Sequence, residues 1–322
     1  MIRSYGLLLC LLHLMACAGH PSSYSSALDA STTEVFVLPD ERAIGRISQL
    51  IDNATQSIDL GIYILSDDLL IQALARASQR HITVRVVIDD STQTHDINRY
   101  AWEMLLRAGV RMQAAQNFRY HHAKYAIFDR STALVMTANW SKSSFSDNRE
   151  VVLVVHDGSI ANDLEHIFDA DLIGGQANFT TPQLVVSPIN SRSIISSFIS
   201  QTRAQLYVAM EEFSDQAMAA TLSTSRAEGV DVKVLMPDPS SVGGDSGLAS
   251  QLVGAGIEVR FLSTPYLHEK AIISDGQVFV GSENMSTTSL DQNREIGLFL
   301  SGQVHDLVLN TFLSDWQNAR PF

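Results

Sequence analysis

The chain has 322 residues, 45% of them hydrophobic and 18% charged, an ordinary balance for a globular protein long enough to bury a sizeable core. Its 22 Lys and Arg stand against 35 Asp and Glu, a formal charge of −13 with no basic run, which removes the broad electrostatic footprint of a general nucleic-acid binder. The only cysteines, Cys10 and Cys17, lie near the N-terminus, so the folded part has no disulfide, no Cys-based metal site and no thiol nucleophile.

In chain order, Arg3 and the Leu-rich run Gly6 to Met15 form a basic and then an apolar segment, too short for a comfortable membrane span. Residues 1–16 are therefore expected to be a signal peptide. Leu14-Met15-Ala16-Cys17 resembles a bacterial lipoprotein cleavage site, which implies Cys17 as a lipidated first residue and a membrane anchor. The protein is then expected in the bacterial cell envelope, in the periplasm or at the outer membrane. A plain signal peptide cleaved between Ala16 and about Pro21, giving a secreted protein, is the alternative. Residues 17–33 are rich in Ala, Gly, Ser, Thr and Pro and read as a flexible tether.

The remainder repeats itself. Ile47-Ser48-Gln49-Leu50-Ile51 returns as Ile195-Ser196-Ser197-Phe198-Ile199 at helical spacing, and the alternation Ile58, Leu60, Ile62 returns as Leu206, Val208, Met210. Residues 82–88 match residues 230–236 with strand periodicity, and helices stopping at Gly109 and Gly256 are each followed by a strand. The expected fold is α/β, with two pseudo-symmetric α/β/α halves at 34–180 and 181–322, each with a mixed, mostly parallel sheet. The hairpin turns are expected at Asp129-Arg130-Ser131 and Asp275-Gly276.

Within the repeat sits a chemical motif. Residues 122–129 read His-Ala-Lys-Tyr-Ala-Ile-Phe-Asp and residues 268–275 read His-Glu-Lys-Ala-Ile-Ile-Ser-Asp, both H-x-K-x4-D. Each is followed by Asn-x-Ser (Asn139 and Ser141; Asn284 and Ser286) and then by Asn-Arg-Glu, ending at Glu150 and Glu295. A core does not require matched sets of such residues. A phosphodiester does require a nucleophile, a proton donor for the leaving oxygen and positive charge for the nonbridging oxygens. Imidazole serves for the first two near neutral pH. Lys124, Lys270, Asn139, Asn284, Ser141 and Ser286 are candidate phosphate ligands, which would stabilise the charge that grows in the transition state. Glu150 and Glu295, trailing the two histidines at nearly equal distances, are candidates to orient the imidazoles through the far ring nitrogen.

On a strand His122 and Lys124 would project together, as would His268 and Lys270, whereas Asp129 and Asp275 fall at odd spacing near the turn. The candidate catalytic set is His122, Lys124, Asp129, His268, Lys270 and Asp275, with the two Asp read as braces that do not touch substrate. His121 is expected to pack and not to ligate a metal. Phe118, Tyr120, Trp140, Phe213 and Tyr266 either line a pocket or pack. Glu211 and Glu212 either meet a cationic head group or end a strand in solvent, the second being the default.

The two H-x-K-x4-D motifs with Gly281-Ser282-Glu283-Asn284-Met285-Ser286 resemble the phospholipase D superfamily over most of residues 34–320, with Thr137-Ala138-Asn139 as a slight departure in the first copy. The resemblance implies a pseudo-twofold arrangement with the histidines facing each other, a covalent phosphohistidine on one, acid–base work by the other, and no metal or other cofactor. It implies His122 as nucleophile and His268 as acid/base; the sequence itself does not separate them. The expected activity is phospholipid phosphodiester hydrolysis or transphosphatidylation. A nuclease using the same site, a phosphatidyltransferase of cardiolipin synthase type and a non-catalytic surface lipoprotein are the alternatives. The expected partner is phospholipid, with nucleic acid less favoured. A chain holding both half-sites has no need to dimerise, so a monomer is expected.

Overall fold

The computed structural model describes residues 32–241 and 245–322; the expected signal segment, Cys17 and nearly all of the tether lie outside these residues. The first half runs β1 (Thr33–Leu38), α1 (Glu41–Asn53), β2 (Ser57–Ile62), α2 (Asp68–Gln79), β3 (Thr83–Ile88), α3 (His95–Arg107), β4 (Arg111–Ala114), β5 (Lys124–Phe128), β6 (Thr132–Met136), α4 (Lys142–Ser146), β7 (Asn148–Val155) and α5 (Gly158–Ile173). The second runs β8 (Leu184–Ser187), α6 (Ser191–Gln201), β9 (Gln205–Met210), α7 (Gln216–Ala227), β10 (Asp231–Pro237), α8 (Ser246–Gly254), β11 (Glu258–Leu262), β12 (Tyr266–Leu267), β13 (Lys270–Ser274), β14 (Gln277–Gly281), α9 (Thr287–Asp291), β15 (Glu295–Ser301), α10 (Gln303–Asn318) and β16 (Arg320–Pro321).

Local chemistry sets these boundaries at equivalent places. Asp67 and Asp215 cap α2 and α7 by accepting main-chain N–H groups of the first turn. Gly109 and Gly256, just past α3 and α8, have φ of 86° and 81°, a left-handed conformation that costs glycine least.

Each half builds a mixed sheet. The first has the order β1-β7-β6-β5-β2-β3-β4 and the second β16-β11-β10-β9-β13-β14-β15-β8. The parallel pairs are β2 with β3, β3 with β4, β9 with β10 and β10 with β11; the His-Lys hairpins and their neighbours continue each sheet in antiparallel sense. This division follows from the connections. Helical crossovers join parallel strands, while the short turns after Phe128 and Ser274 can only reverse direction.

Strand parity sorts the cores. On β5, Ala126 and Phe128 join α1, α2 and α3 in an outer core, while Tyr125 and Ile127 point to the other face. The matching outer core of the second half holds Ile272 and Phe279 with α6, α7 and α8. The inner faces of both sheets share a single core with α5 and α10, so the two halves are fused over one apolar seam. Among the described residues no helix is long and apolar enough to cross a membrane.

Candidate active site

The site lies where the two halves exchange strands. The residues just before His122 and His268 each run alongside the start of the other half's Glu strand: His121 bridges to Arg294, and β12 pairs in parallel with Asn148 and Arg149 of β7. The Arg294 N–H donates to the Tyr120 carbonyl (2.9 Å) and the His268 N–H to the Arg149 carbonyl (3.2 Å). The arginines of the two Asn-Arg-Glu segments lock this exchange. Arg294 pairs with Asp171 of α5 through two bonds (2.7 and 2.8 Å), and Arg149 pairs with Asp315 of α10 through two more (2.6 and 2.9 Å). The sequence reading missed these clamps; their signal is Phe-x-x-Asp, repeated at Phe168 to Asp171 and Phe312 to Asp315.

The exchange crosses the carboxylates. Spacing along the chain associates Glu150 with His122 and Glu295 with His268. In space, His122 Nδ1 lies 2.9 Å from Glu295 Oε2, and His268 Nδ1 lies 2.7 Å from Glu150 Oε1. Each imidazole is thus oriented by the opposite half. Glu295 also accepts from Ser289 (2.7 Å) and Asn293 (2.9 Å), and Glu150 from Thr137 (2.6 Å). A carboxylate on Nδ1 favours the tautomer that leaves Nε2 available for chemistry.

His122 and His268 lie just outside β5 and β13, in extended lead-ins; the strands begin at the lysines. Lys124 and Lys270, both fully buried, turn back to donate to the main-chain carbonyl of their own histidine, Lys270 at 2.6 Å. Burial drives Lys124 down to about 7, with the Lys270 charge adding to the effect and Glu295 opposing it. Burial also lowers His122, against the pull of Glu295 and with the help of Lys124. The charge of Lys270 reaches both His122 and Lys124, so the two motifs form one electrostatic unit.

The other candidates divide. Asp129 accepts the N–H groups of Thr55, Gln56 and Ser57, and Asp275 those of Arg203, Ala204 and Gln205. Both sit at the hairpin turns and tie the entries of β2 and β9, the geometry that the brace reading describes. Ser141 and Ser286 were expected on phosphate, but each caps a short helix, α4 or α9, by accepting an N–H. Ser141 still lines the cavity, whereas Ser286 is buried and is not among the described lining residues. Asn139 lines the cavity, and Asn284 spends its Oδ1 on the Glu212 N–H (3.1 Å). His121 is buried beside Asp171 (3.5 Å) and against Phe118, in packing. Trp140 and Phe213 are fully buried in the outer cores; Tyr266 faces the cavity.

Glu211 overturns the default of a solvated strand end. It lies at the His268 side, donated to by Lys270, with Oε2 3.4 Å from His268 Nε2 and Oε1 accepting from the Tyr266 hydroxyl (3.2 Å). Burial alone would raise its carboxyl, but the charges of His268 and Lys270 hold it at about 2. The cavity, about 610 Å³, is lined by Asn139, Ser141, Glu211, Tyr266 and His268 among others, with no Lys or Arg among the described lining residues.

A family model described as "Cardiolipin synthase, PLD-like domain" matches residues 47–172 and again 195–316. The chain belongs to the phospholipase D superfamily. The human mitochondrial cardiolipin hydrolase is 31% identical over 117 residues, covering 36% of this chain and 46% of that one. A cardiolipin synthase of Geobacillus kaustophilus is 25% identical over 90% of this chain and 67% of its own length. The chain spans about half the length of the mitochondrial hydrolases it matches. Among solved structures, phosphatidylserine synthase of Haemophilus influenzae superposes with a TM-score of 0.73 at 15% identity, covering 92% of this chain and 89% of that one, a likeness of fold.

Proposed function

We propose that this superfamily member cleaves phospholipid phosphodiesters by a two-step route through a phosphohistidine. The observation that carries the proposal is the crossed pairing of the two imidazoles, His122 Nδ1 hydrogen-bonded to Glu295 and His268 Nδ1 2.7 Å from Glu150, with the charges of both histidines felt at Glu211. In the first step His122 Nε2 forms a bond to phosphorus as the bond to the leaving oxygen breaks, and His268 Nε2–H gives its proton to that oxygen. In the second step His268 takes a proton from water or an acceptor alcohol. The oxygen bonds to phosphorus, the P–N bond breaks, and His122 is restored. Burial holds His122 in its neutral, nucleophilic form. His268 lies between Glu150 at Nδ1 (2.7 Å) and Glu211 at Nε2 (3.4 Å), on the side assigned to the leaving oxygen. Lys124 and Lys270, buried beside the two histidines, supply positive charge toward the nonbridging oxygens.

Relatives named as cardiolipin hydrolase and cardiolipin synthase support a phospholipid substrate, and a formal charge of −13 with no basic run favours it over a nucleic acid. In our reading residues 1–16 direct export, Cys17 carries a lipid anchor to the bacterial envelope, and the protein works as a monomer.

The test is incubation with mixed phospholipid vesicles and ethanol, and in parallel with single-stranded DNA. Phosphatidic acid and phosphatidylethanol that vanish in His122→Ala support the proposal. DNA nicking without lipid turnover replaces it with the nuclease, and turnover of neither substrate replaces it with a non-catalytic role.

A further inference from the structure

Glu211 occupies the position that the internal repeat gives to Tyr63 in the first half, since Ile62 and Met210 precede them at matching ends of β2 and β9. The two residues treat their half-sites differently. Tyr63 packs edge-on against the His122 ring at 4.7 Å, whereas Glu211 places a carboxylate 3.4 Å from His268 Nε2. In the proposed route that nitrogen protonates the leaving oxygen, so Glu211 marks the pocket of the leaving alcohol.

We propose that Glu211, with Asn139 and Tyr266, is a recognition site for a primary ammonium on the leaving alcohol, and that phosphodiesters of the ethanolamine type are the preferred substrates. The inference rests on the phospholipid reading and adds the head group to it. In such a substrate the ammonium is two carbons from the oxygen that His268 protonates, which suits a carboxylate beside His268. An ammonium offers three donors and no acceptor. The cavity answers with acceptors: the Glu211 carboxylate, the Ser141 and Ser143 hydroxyls, and Asn139, whose buried Oδ1 has no partner in the protein. The counterpart Asn284 Oδ1 is occupied by a main-chain N–H, so the orphan acceptor belongs only to this side. Lys270 already donates to Glu211, yet a carboxylate has room for further donors, and the substrate phosphate takes up the positive charge of Lys270. A trimethylammonium lacks N–H donors, glycerol lacks charge, and an anionic leaving group would meet Glu211 directly.

The experiment compares release of ethanolamine, choline and glycerol from vesicles of phosphatidylethanolamine, phosphatidylcholine and phosphatidylglycerol. It uses the wild type, Glu211→Gln, and Glu211→Tyr, which copies the first half. The wild type is expected to release ethanolamine about tenfold faster than glycerol, with choline between them. Both variants are expected to lose rate and to bring the ethanolamine-to-glycerol ratio near unity. Glycerol released as fast as ethanolamine by the wild type overturns the inference and leaves phospholipid cleavage standing. An unchanged ratio in a variant with the wild-type circular dichroism spectrum also overturns it. Nicked DNA with no head group released removes the phospholipid reading and this one with it.

Discussion

The two halves carry the same His, Lys, Asn and Glu but differ around them, and the difference is one-sided. Where the first half has Tyr63, Ile64, Ala123 and Ala138, the second has Glu211, Glu212, Glu269 and Glu283. These carboxyls do not share a state. Glu269 and Glu283 are buried, and burial pushes Glu269 up to about 8 and Glu283 well above the usual carboxyl range. Glu283 fits because Gly281 and Gly297 stand where the first half has Met136 and Val152; a Cβ on Gly281 would lie 2.2 Å from Glu283 Oε2, and one on Gly297 2.8 Å. The small residue of the Gly281-Ser282-Glu283-Asn284 motif therefore makes room for a side chain and does not serve a turn. Glu211 alone of the four is an anion that lines the cavity. Symmetric machinery surrounded by an asymmetric shell is how a duplicated site can give one histidine to phosphorus and the other to the leaving group.

The strongest test of that division removes the histidines one at a time. His122→Ala and His268→Ala are each expected to lower kcat/KM on phospholipid by about 10⁴-fold, the scale of losing a nucleophile or its acid partner. A phosphodiester with a p-nitrophenyl leaving group, which departs without a proton, separates them: His268→Ala recovers phosphodiester cleavage in a burst assay and His122→Ala does not. Recovery in His122→Ala instead would exchange the two roles.

Because the carboxylates are crossed, the next test asks whether each follows the histidine of the opposite half. Glu295→Gln is expected to behave like a milder His122 variant and Glu150→Gln like a milder His268 variant, each losing about 10²–10³-fold. On the p-nitrophenyl substrate, only Glu150→Gln should recover. If Glu150→Gln fails to recover while Glu295→Gln does, the crossed pairing is wrong.

The clamps differ in burial. The Arg294–Asp171 pair is almost completely buried, with side-chain exposures of 3% and 1%, while Arg149 is 16% exposed. Arg294→Ala strands the Asp171 carboxylate and is expected to cost about 3–5 kcal/mol in urea unfolding. Arg149→Ala is expected to cost less, about 2 kcal/mol, because its partner gains water. Equal costs would show that the seam is stabilised elsewhere.

The pattern of success along the chain has a physical basis. Periodicity and the internal repeat made the α/β halves and the hairpins legible, because both depend on residues close in sequence. The His, Lys, Asn and Glu of the site were legible as types for the same reason. Pairing across the seam was not: nothing in the spacing of Glu150 and Glu295 says that the halves exchange them, because the exchange arises from β12 and the lead-in to His122 crossing between sheets. Glu211 was named, yet a strand-end Glu is ordinarily solvated, and only the fold brings Lys270 and His268 against it. The helix-capping role of Ser141 and Ser286 was not legible, because a serine that caps a helix and one that binds phosphate look alike in the sequence.

The smallest differences concern pH and the braces. His122 is lowered by burial, so its neutral form persists below the ordinary imidazole value near 6.5, and the acid limb of kcat/KM should lie below that pH. Lys124, at about 7, loses its charge as pH rises through that value, so KM for phospholipid should climb about threefold or more between pH 6.5 and 8. A KM flat over this range would mean that Lys270 carries the phosphate alone. Asp129 and Asp275 set the lower bound. Burial would raise them, but the main-chain N–H groups of Thr55 to Ser57 and of Arg203 to Gln205 outweigh it and depress both. A depressed carboxyl contributes stability above its unfolded value, near 3.9, and that contribution is lost as pH falls through the folded value. Asp129→Ala and Asp275→Ala are therefore each expected to cost about 1–2 kcal/mol at pH 7, with the difference from wild type shrinking below pH 4 and with kcat of the folded enzyme kept within about twofold. Asp129 also accepts from the Thr55 hydroxyl, whereas Asp275 is donated to only by the main chain, so the first-half variant should be the less stable of the two. A loss of kcat at full folding in either variant would keep that aspartate in the catalytic set and show that the brace holds its histidine as well as its strand.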